Sequence, residues 1–272
     1  MTHSPFGRVL ATGLSVLLAC TASVVARSLP DAAAPRGTSA RSLVVGRDVS
    51  WPNCPRGLGI PSRPSQGKPM PPPSARFVVI GLTNGPAFHP NPCLAAQVDY
   101  ARSRHLWAAA YAVLTFPTPG QLRRYGGPRA AGRAQARQNV AAMRAVGLPS
   151  PIVWVDVEPV SPPAPWSPRP RANRAVLRGA LATYRRAGLR VGFYSTPSMW
   201  RGILGPVRPG LPEWRTAGLA TRTAALARCA GRDSFQGGRA VLTQWYSLRE
   251  DFDVLCPGRP AEQVLAAYFT RL

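Results

Sequence analysis

Two acidic residues, Asp156 and Glu158, lie one residue apart near the end of the apolar stretch "PIVWVDVEP" (151–159). The chain is otherwise poor in acids, with 11 Asp plus Glu against 34 Lys plus Arg. Two neighbouring carboxylates are costly to bury, and their repulsion raises the pKa of at least one of them. A carboxyl kept protonated in this way can donate its proton to a leaving group. The alternative is that one or both acids simply pair with arginines.

The stretch around these acids is predicted to be a buried β-strand, in which alternate side chains face opposite sides. The valines at its odd-numbered positions share one side, which suits packing under helices. Ile152, Trp154, Asp156 and Glu158 share the other side, and Pro159 ends the strand. In a closed barrel this second side faces inward, so both acids lie near the end where barrel enzymes place their chemistry.

The elements that must position this strand alternate between β and α from residue 43 to residue 272. Strands are predicted at 43–50, 76–83, 106–114, 151–158, 189–196, 213–220, 239–246 and 252–256. Helices are predicted at 93–105, 129–147, 171–188, 221–230 and 261–272. Because no GxGxxG motif and no P-loop occurs, this pattern favours an α/β fold of the closed (β/α) TIM-like barrel type over a doubly wound sheet.

Further acids fall at matching places in such a barrel. Asp48 ends the first predicted strand, and Asp251 and Asp253 flank the start of the last one. The first and last strands of a closed barrel are neighbours, so these carboxylates are expected to converge on the mouth that holds Asp156 and Glu158. Asp251 and Asp253 have the same strand parity, so either of them can join the cluster.

The N-terminal residues predict export from the cell. Residues 1–26 are typical of a secretory signal peptide, with an apolar segment too short to span a bilayer. The possible processing sites are "LLAC" (17–20), a lipobox that would lipidate Cys20 and anchor it to a membrane, and "VVA" ending at Ala26. Residues 27–42 have the composition of a disordered linker. The protein is therefore predicted to be secreted or to be a cell-envelope lipoprotein, and to be a monomer.

Four cysteines remain beyond Cys20, and an even number in an exported protein indicates two disulfides. Of the three possible pairings, the one that joins cysteines closest in sequence is favoured, which gives Cys54–Cys93 and Cys229–Cys256. A zinc site is disfavoured, because no two cysteines have CxxC spacing and only 3 histidines occur. The sequence implies no metal and no organic cofactor.

The formal net charge of +23 favours anionic partners such as nucleic acid, anionic lipid or an anionic cell wall. The arginines are scattered, however, and no basic run interleaved with aromatic residues occurs. Nucleic-acid binding is therefore not expected, whereas attraction of a basic surface to a cell wall is.

The motifs of the mature chain, taken in order, resemble those of the family 25 glycoside hydrolases, the lysozyme-type muramidases, and of their secreted bacterial relatives. "GRDVSWPN" resembles the family's opening G-x-D-V-S strand, "VWVDVEP" its D-x-E strand and "GLRVGFYST" its G-x-Y-T/S strand. "AAAYAV" resembles the strand that carries a tyrosine, and "LTQWYSLREDFDVLC" the closing Gln-Tyr and Asp segment. The resemblance implies a barrel modified as in this family, acting as a lysozyme-like N-acetylmuramidase on the peptidoglycan of a cell wall.

The resemblance also implies a role for each acid. Glu158 would protonate the glycosidic oxygen and then serve as the base for water. Asp156 would assist the anomeric centre, either directly or by steadying the substrate's acetamido group. Asp48 and Asp253 would hold these two carboxyls and tune their pKa values. Cleavage of a β-1,4 bond with retention is the expected outcome.

Several other residues are expected to contact sugar. From the resemblance, the residues that line the mouth would be Tyr111, Tyr194 and Gln244. Trp166, in the loop after the fourth strand, is a candidate for stacking on a sugar ring, with anchoring of that loop as the alternative.

Three positions depart from the family pattern. Gly81 and Asn84 stand where the family has Lys and Glu, and Ala112 stands where many members have His. Their absence removes polar groups from the mouth, which keeps open an alternative function: a barrel that binds wall glycan without cutting it.

Overall fold

A computed structural model describes residues 43–61, 63–64, 66–159 and 165–272. The predicted signal peptide, its two processing sites and the predicted linker lie outside the described residues. Within the described ranges, no helix has both the length and the apolar character needed to cross a membrane.

Eight strands close into a barrel. They are β1 (Val45–Val49), β2 (Phe77–Gly81), β3 (Trp107–Val113), β4 (Ile152–Asp156), β5 (Arg190–Ser195), β6 (Glu213–Leu219), β7 (Ala240–Tyr246) and β8 (Asp251–Leu255). Their order around the barrel is β3-β2-β1-β8-β7-β6-β5-β4, and pairing of β4 with β3 closes it. A short ninth strand, β9 (Thr270–Arg271), pairs with the beginning of β3. The predicted closed barrel is therefore confirmed.

The direction of β8 distinguishes this barrel from an all-parallel one. β8 runs antiparallel to both β7 and β1, whereas the other neighbouring barrel strands run parallel. The connection from β7 to β8 is a tight turn closed by a hydrogen bond from the Ser247 amide to the Glu250 carbonyl, which is too short for a crossover helix. Consequently β8 descends from the mouth, and Asp251 lies nearer to the mouth than Asp253 does.

Seven α-helices accompany the strands in the described part of the chain. They are α1 (Leu94–Ser103), α2 (Pro119–Tyr125), α3 (Pro128–Ala145), α4 (Pro170–Arg186), α5 (Pro197–Leu204), α6 (Arg222–Ala227) and α7 (Ala261–Tyr268). The sequence did not predict α2 and α5. Each of these two follows a threonine whose side chain caps the helix, Thr118 and Thr196, and each has proline at its start. The terminal helix is shorter than predicted, because the chain leaves it at Phe269 to form β9.

The apolar core has two layers, as the parity of β4 predicts. Val153, Val155 and Val157 pack outward against helices. Ile152 and Trp154 face inward, where aromatic rings fill the barrel below the mouth. This filling occupies the barrel interior below the mouth.

Both predicted disulfides are present, Cys54–Cys93 and Cys229–Cys256. The first joins the loops that follow β1 and β2, and so braces one side of the mouth. The long loop between those strands contains a small two-stranded ribbon, Gly59–Ile60 with Arg63–Pro64.

Candidate active site

A cavity of about 330 Å³ opens at the barrel mouth. Four acids line it: Asp48, Asp156, Glu158 and Asp251. The three residues expected from the family resemblance to contact sugar also line it, namely Tyr111, Tyr194 and Gln244. The structure thus brings the predicted residues of strands one, three, four, five and seven to one place.

The acids of β4 reach the cavity because the chain stays extended past the last strand residue. The amide of Val157 donates to the carbonyl of Tyr194 at 3.0 Å, and the Ser195 hydroxyl donates to the Val157 carbonyl at 2.7 Å. These bonds continue the alternation of β4, so Asp156 and Glu158 both face inward. Asp156 is 5 % exposed and Glu158 is half-buried.

Trp166 holds the backbone of the β4 acids. Its indole N–H donates to the carbonyl oxygen of Glu158 at 2.7 Å, and its partly buried ring packs on the outer core. This contact fits the anchoring alternative. Trp166 is not among the described residues that line the cavity. Its contact with a sugar stays a prediction.

A hydrogen-bonded chain orients Asp48. The Tyr194 hydroxyl donates to Gln244 Oε1 at 2.7 Å, which leaves the Gln244 amide nitrogen to donate to Asp48 Oδ2 at 2.8 Å. Since the three residues come from β5, β7 and β1, the chain ties together strands that are distant in sequence. It holds the Asp48 carboxylate in a fixed position at the cavity wall.

The two acids of β8 occupy different depths. Asp251 lines the cavity, and its carboxylate lies 3.7 Å from the amine of Lys68, the one lysine of the sequence. Asp253 is fully buried below it and accepts a hydrogen bond of 2.8 Å from the indole of Trp214. Both acids therefore belong to the carboxylate cluster of the mouth, with Asp251 at the cavity surface and Asp253 beneath Asp48.

Burial sets the protonation of the deeper acids. It is the main cause that raises the pKa of Asp156 well above its usual value, with the charge of Glu158 adding to the effect. Burial likewise raises the pKa of Asp253 well above its usual value, helped by the charge of Asp48. Burial thus favours the neutral form of both carboxyl groups.

Asp48 titrates near neutrality. Burial, and then the charge of Asp251, raise its pKa from the usual 3.8 to about 7, against the opposing effect of the hydrogen bond from Gln244. Burial also raises the pKa of Asp251, and the nearby Lys68 ammonium partly offsets this rise. The pKa values of Asp48 and Asp251 are thus both shifted upward, the direction that lets a carboxyl group donate a proton closer to neutral pH.

Sequence reasoning did not single out Tyr246, Trp214 and Lys68. Tyr246 lines the cavity two residues after Gln244, on the same face of β7, and Trp214 faces the cavity from β6. Strand alternation was a usable signal for both aromatic residues. Lys68 gave no such signal, because its position depends on the course of the long loop.

Comparison with solved structures finds proteins that share this barrel architecture. No protein-family model matches the chain, and no curated protein sequence matches it. Among solved structures, the bacterial lysozyme from Streptomyces coelicolor is 16% identical with a TM-score of 0.56, over 84% of this chain and 98% of that one. The family 25 lysozyme from Aspergillus fumigatus is 14% identical with a TM-score of 0.54, over 84% and 99%. The fold is that of the family 25 lysozymes.

A family 25 glycosyl hydrolase from Bacillus anthracis has the same fold. It is 15% identical with a TM-score of 0.53, over 81% of this chain and 92% of that one. The barrel spans nearly the whole of each of these three structures. The prediction of a barrel modified as in family 25 is therefore confirmed.

Proposed function

We propose that this protein is an exported glycoside hydrolase that cleaves β-1,4 bonds in the peptidoglycan of a cell wall. The observation that carries the proposal is the placement of Asp156 and Glu158 together on the wall of one cavity at the barrel mouth. Within the described ranges, no ion pair joins Asp156 to an arginine, which disfavours the alternative of a simple ion pair for Asp156. The names of the solved structures with this fold, lysozymes, support glycan as the substrate class.

Glu158 is the more accessible of the two β4 acids and takes the proton-transfer role. It protonates the glycosidic oxygen as the bond to the anomeric carbon breaks, and then removes a proton from the water that attacks that carbon. Asp156 assists the anomeric centre, either directly or by holding the substrate's acetamido group. Asp48, fixed by Gln244, and the buried Asp253 position this pair.

Retention is the expected stereochemical outcome. Retaining glycosidases keep their two carboxyl groups about 5–5.5 Å apart. Alternate residues of a strand have Cα atoms about 6.6 Å apart on one face, a spacing from which two side chains can approach the retaining distance.

The cleavage test measures reducing ends released from purified peptidoglycan. Wild type should release them, and Glu158→Gln should release none while it still sediments with the glycan. Glu262→Gln is the control, since Glu262 is exposed on α7 and pairs with Arg76, and it should cleave like wild type.

The second candidate function is a barrel that binds glycan without cutting it. Its support is at Gly81, where a Cβ atom would lie 2.5 Å from the Ser50 Cβ and 2.8 Å from the Tyr111 ring. The packing therefore excludes the side chain that the family has there, and the site lacks that polar group. If wild type and Glu158→Gln bind equally and neither cuts, the binding function is correct and the hydrolase proposal fails.

Export rests on the N-terminal sequence and is consistent with the two disulfides, which persist in oxidising compartments. The mature protein is either freely secreted or anchored by a lipid on Cys20. An intact mass of the exported protein distinguishes the two, since the lipid adds mass and fixes the new N-terminus at Cys20.

A further inference from the structure

The outer face formed by α3 and α4 carries positive charge without acids. Helix α3 contains four arginines and α4 contains five, and neither helix contains Asp or Glu. The sequence has no acid between Asp99 and Asp156, and none between Glu158 and Glu213. In the described ranges, no carboxylate forms an ion pair with an arginine of α3 or α4. The described part of the chain therefore leaves the positive charge of this face without ion-pair partners.

Three of these arginines surround a groove between the two helices, here called the arginine groove. Its volume is about 370 Å³, and Arg137, Arg144 and Arg186 form its rim. All three side chains are exposed. The floor consists of small side chains, Ala141, Thr183 and Ala187 among them. A guanidinium rim over a small-residue floor leaves room for a narrow anionic chain.

The two helices that form the groove pack closely together. Helices α3 and α4 approach so closely that a Cβ on Gly132 would lie 2.0 Å from the carbonyl oxygen of Val176. Below the groove the Asn139 amide donates to the Tyr184 hydroxyl at 2.7 Å, in the buried interface between the helices. The three guanidinium groups are thus carried by a fixed scaffold, which reduces the entropy lost when an anion binds.

We propose that the arginine groove binds a polymer of repeated phosphodiesters. Guanidinium groups present paired N–H donors that match the oxygens of a phosphate group. Arg144 and Arg186 lie in the last turns of their helices, where a cation also interacts favourably with the helix dipole, but their exposed charges still face solvent. The groove lies towards the C-terminal ends of α3 and α4, at the end of the barrel opposite the mouth. A bound polymer therefore leaves the cavity open.

The exposed apolar residues argue against two other polyanions. A membrane-binding surface inserts large apolar side chains, and a surface for single-stranded nucleic acid stacks bases on aromatic rings. The exposed large hydrophobic residues of the described chain are Leu43, Leu58, Leu219, Tyr246 and Leu248. None of them belongs to α3 or α4, so the face offers charge alone, as a phosphodiester polymer without bases requires.

The test compares two triple variants with the same loss of charge. The groove variant is Arg137→Gln with Arg144→Gln and Arg186→Gln. The control variant carries Arg222→Gln, Arg249→Gln and Arg271→Gln, three exposed positions outside α3 and α4. All six side chains are exposed, so both variants should fold, which circular dichroism and thermal unfolding verify. The probe is labelled poly(glycerol phosphate), and binding is measured by fluorescence anisotropy over a range of salt concentrations.

The groove variant should bind about tenfold more weakly than wild type at low salt, since three exposed ion pairs are lost. Its plot of log affinity against log salt should be less steep by about 2, at about 0.7 for each lost contact. The control variant should lose less than about threefold. Equal weakening of the two variants would mean that only net charge matters and would overturn the proposal. Tighter wild-type binding to phosphatidylglycerol vesicles or to single-stranded DNA, at equal phosphate concentration, would overturn the choice of partner.

Discussion

Replacement of Asp48 by asparagine should stabilise the protein at alkaline pH. Asp48 is buried at the cavity wall, and its pKa is raised from 3.8 to about 7. At about 1.4 kcal/mol for each pKa unit, this shift costs about 4 kcal/mol of folding free energy above pH 7. Asp48→Asn removes the charge that causes the cost. Asparagine can still accept the hydrogen bond from Gln244 and can donate to the carboxyl group of Asp253.

The sign of the pH dependence follows from the direction of the shift. A group with a raised pKa in the folded state contributes stability that is fully present below its unfolded pKa, about 4, and lost as pH rises through its folded pKa, about 7. Wild type should therefore lose stability relative to Asp48→Asn between pH 4 and pH 8. The variant should exceed wild type by about 2–4 kcal/mol at pH 8, and the difference should vanish near pH 4.

The assay is urea denaturation of both proteins at pH 4, 6 and 8, with the free energy of unfolding extrapolated to water. The control is Asp99→Asn, because Asp99 is exposed on α1 and pairs with Arg102 at the surface. The control should change the free energy by less than about 1 kcal/mol at each pH. If Asp48→Asn is less stable than wild type at pH 8, or differs from it equally at all three values, the burial argument for the site is wrong.

Three further predictions concern residues of the barrel strands and of the loop after β4. Glu213→Ala should cost about 3–5 kcal/mol in denaturation experiments, because it leaves the buried Arg215 guanidinium without the carboxylate that it contacts at 2.6 Å; a cost below about 1 kcal/mol would contradict this. Trp166→Phe should lower kcat with little change in KM, since it removes the hydrogen bond to the Glu158 carbonyl but keeps a ring; an unchanged kcat would show that the anchor is dispensable. Gly192→Ala should destabilise by about 1–3 kcal/mol, because its Cβ would lie 2.3 Å from a tryptophan ring of β4; unchanged thermal stability would mean that the ring moves freely.

The sequence was sufficient for the features that depend on local pattern. Strand alternation placed Ile152 and Trp154 inside the barrel and the neighbouring valines outside, as the two core layers confirm. Proximity in sequence favoured the disulfide pairing Cys54–Cys93, which the structure contains. Both inferences use residues whose relative positions are fixed over short distances along the chain.

Features that depend on strand register or on the course of a loop could not be predicted from the sequence. Asp251 and Asp253 have the same parity, and the register of β8 against β7 decides which of them lines the cavity and which lies in the buried layer. Lys68 reaches Asp251 from a long loop with no periodic pattern. The absence of a side chain at Gly81 became understandable only when the Tyr111 ring was seen to fill that space. The antiparallel direction of β8, in contrast, could have been deduced from the short connection that precedes it.

The pairing of Asp156 and Glu158 in one retaining site is tested most directly by the stereochemistry of the first product. Proton NMR should follow wild-type cleavage of a soluble peptidoglycan glycan fragment from the first minutes, before mutarotation mixes the anomers. The β-anomer should form first, and Glu158→Gln should form no product. If the α-anomer forms first, or if the wild-type protein leaves the fragment intact, the two carboxyl groups do not act as proposed.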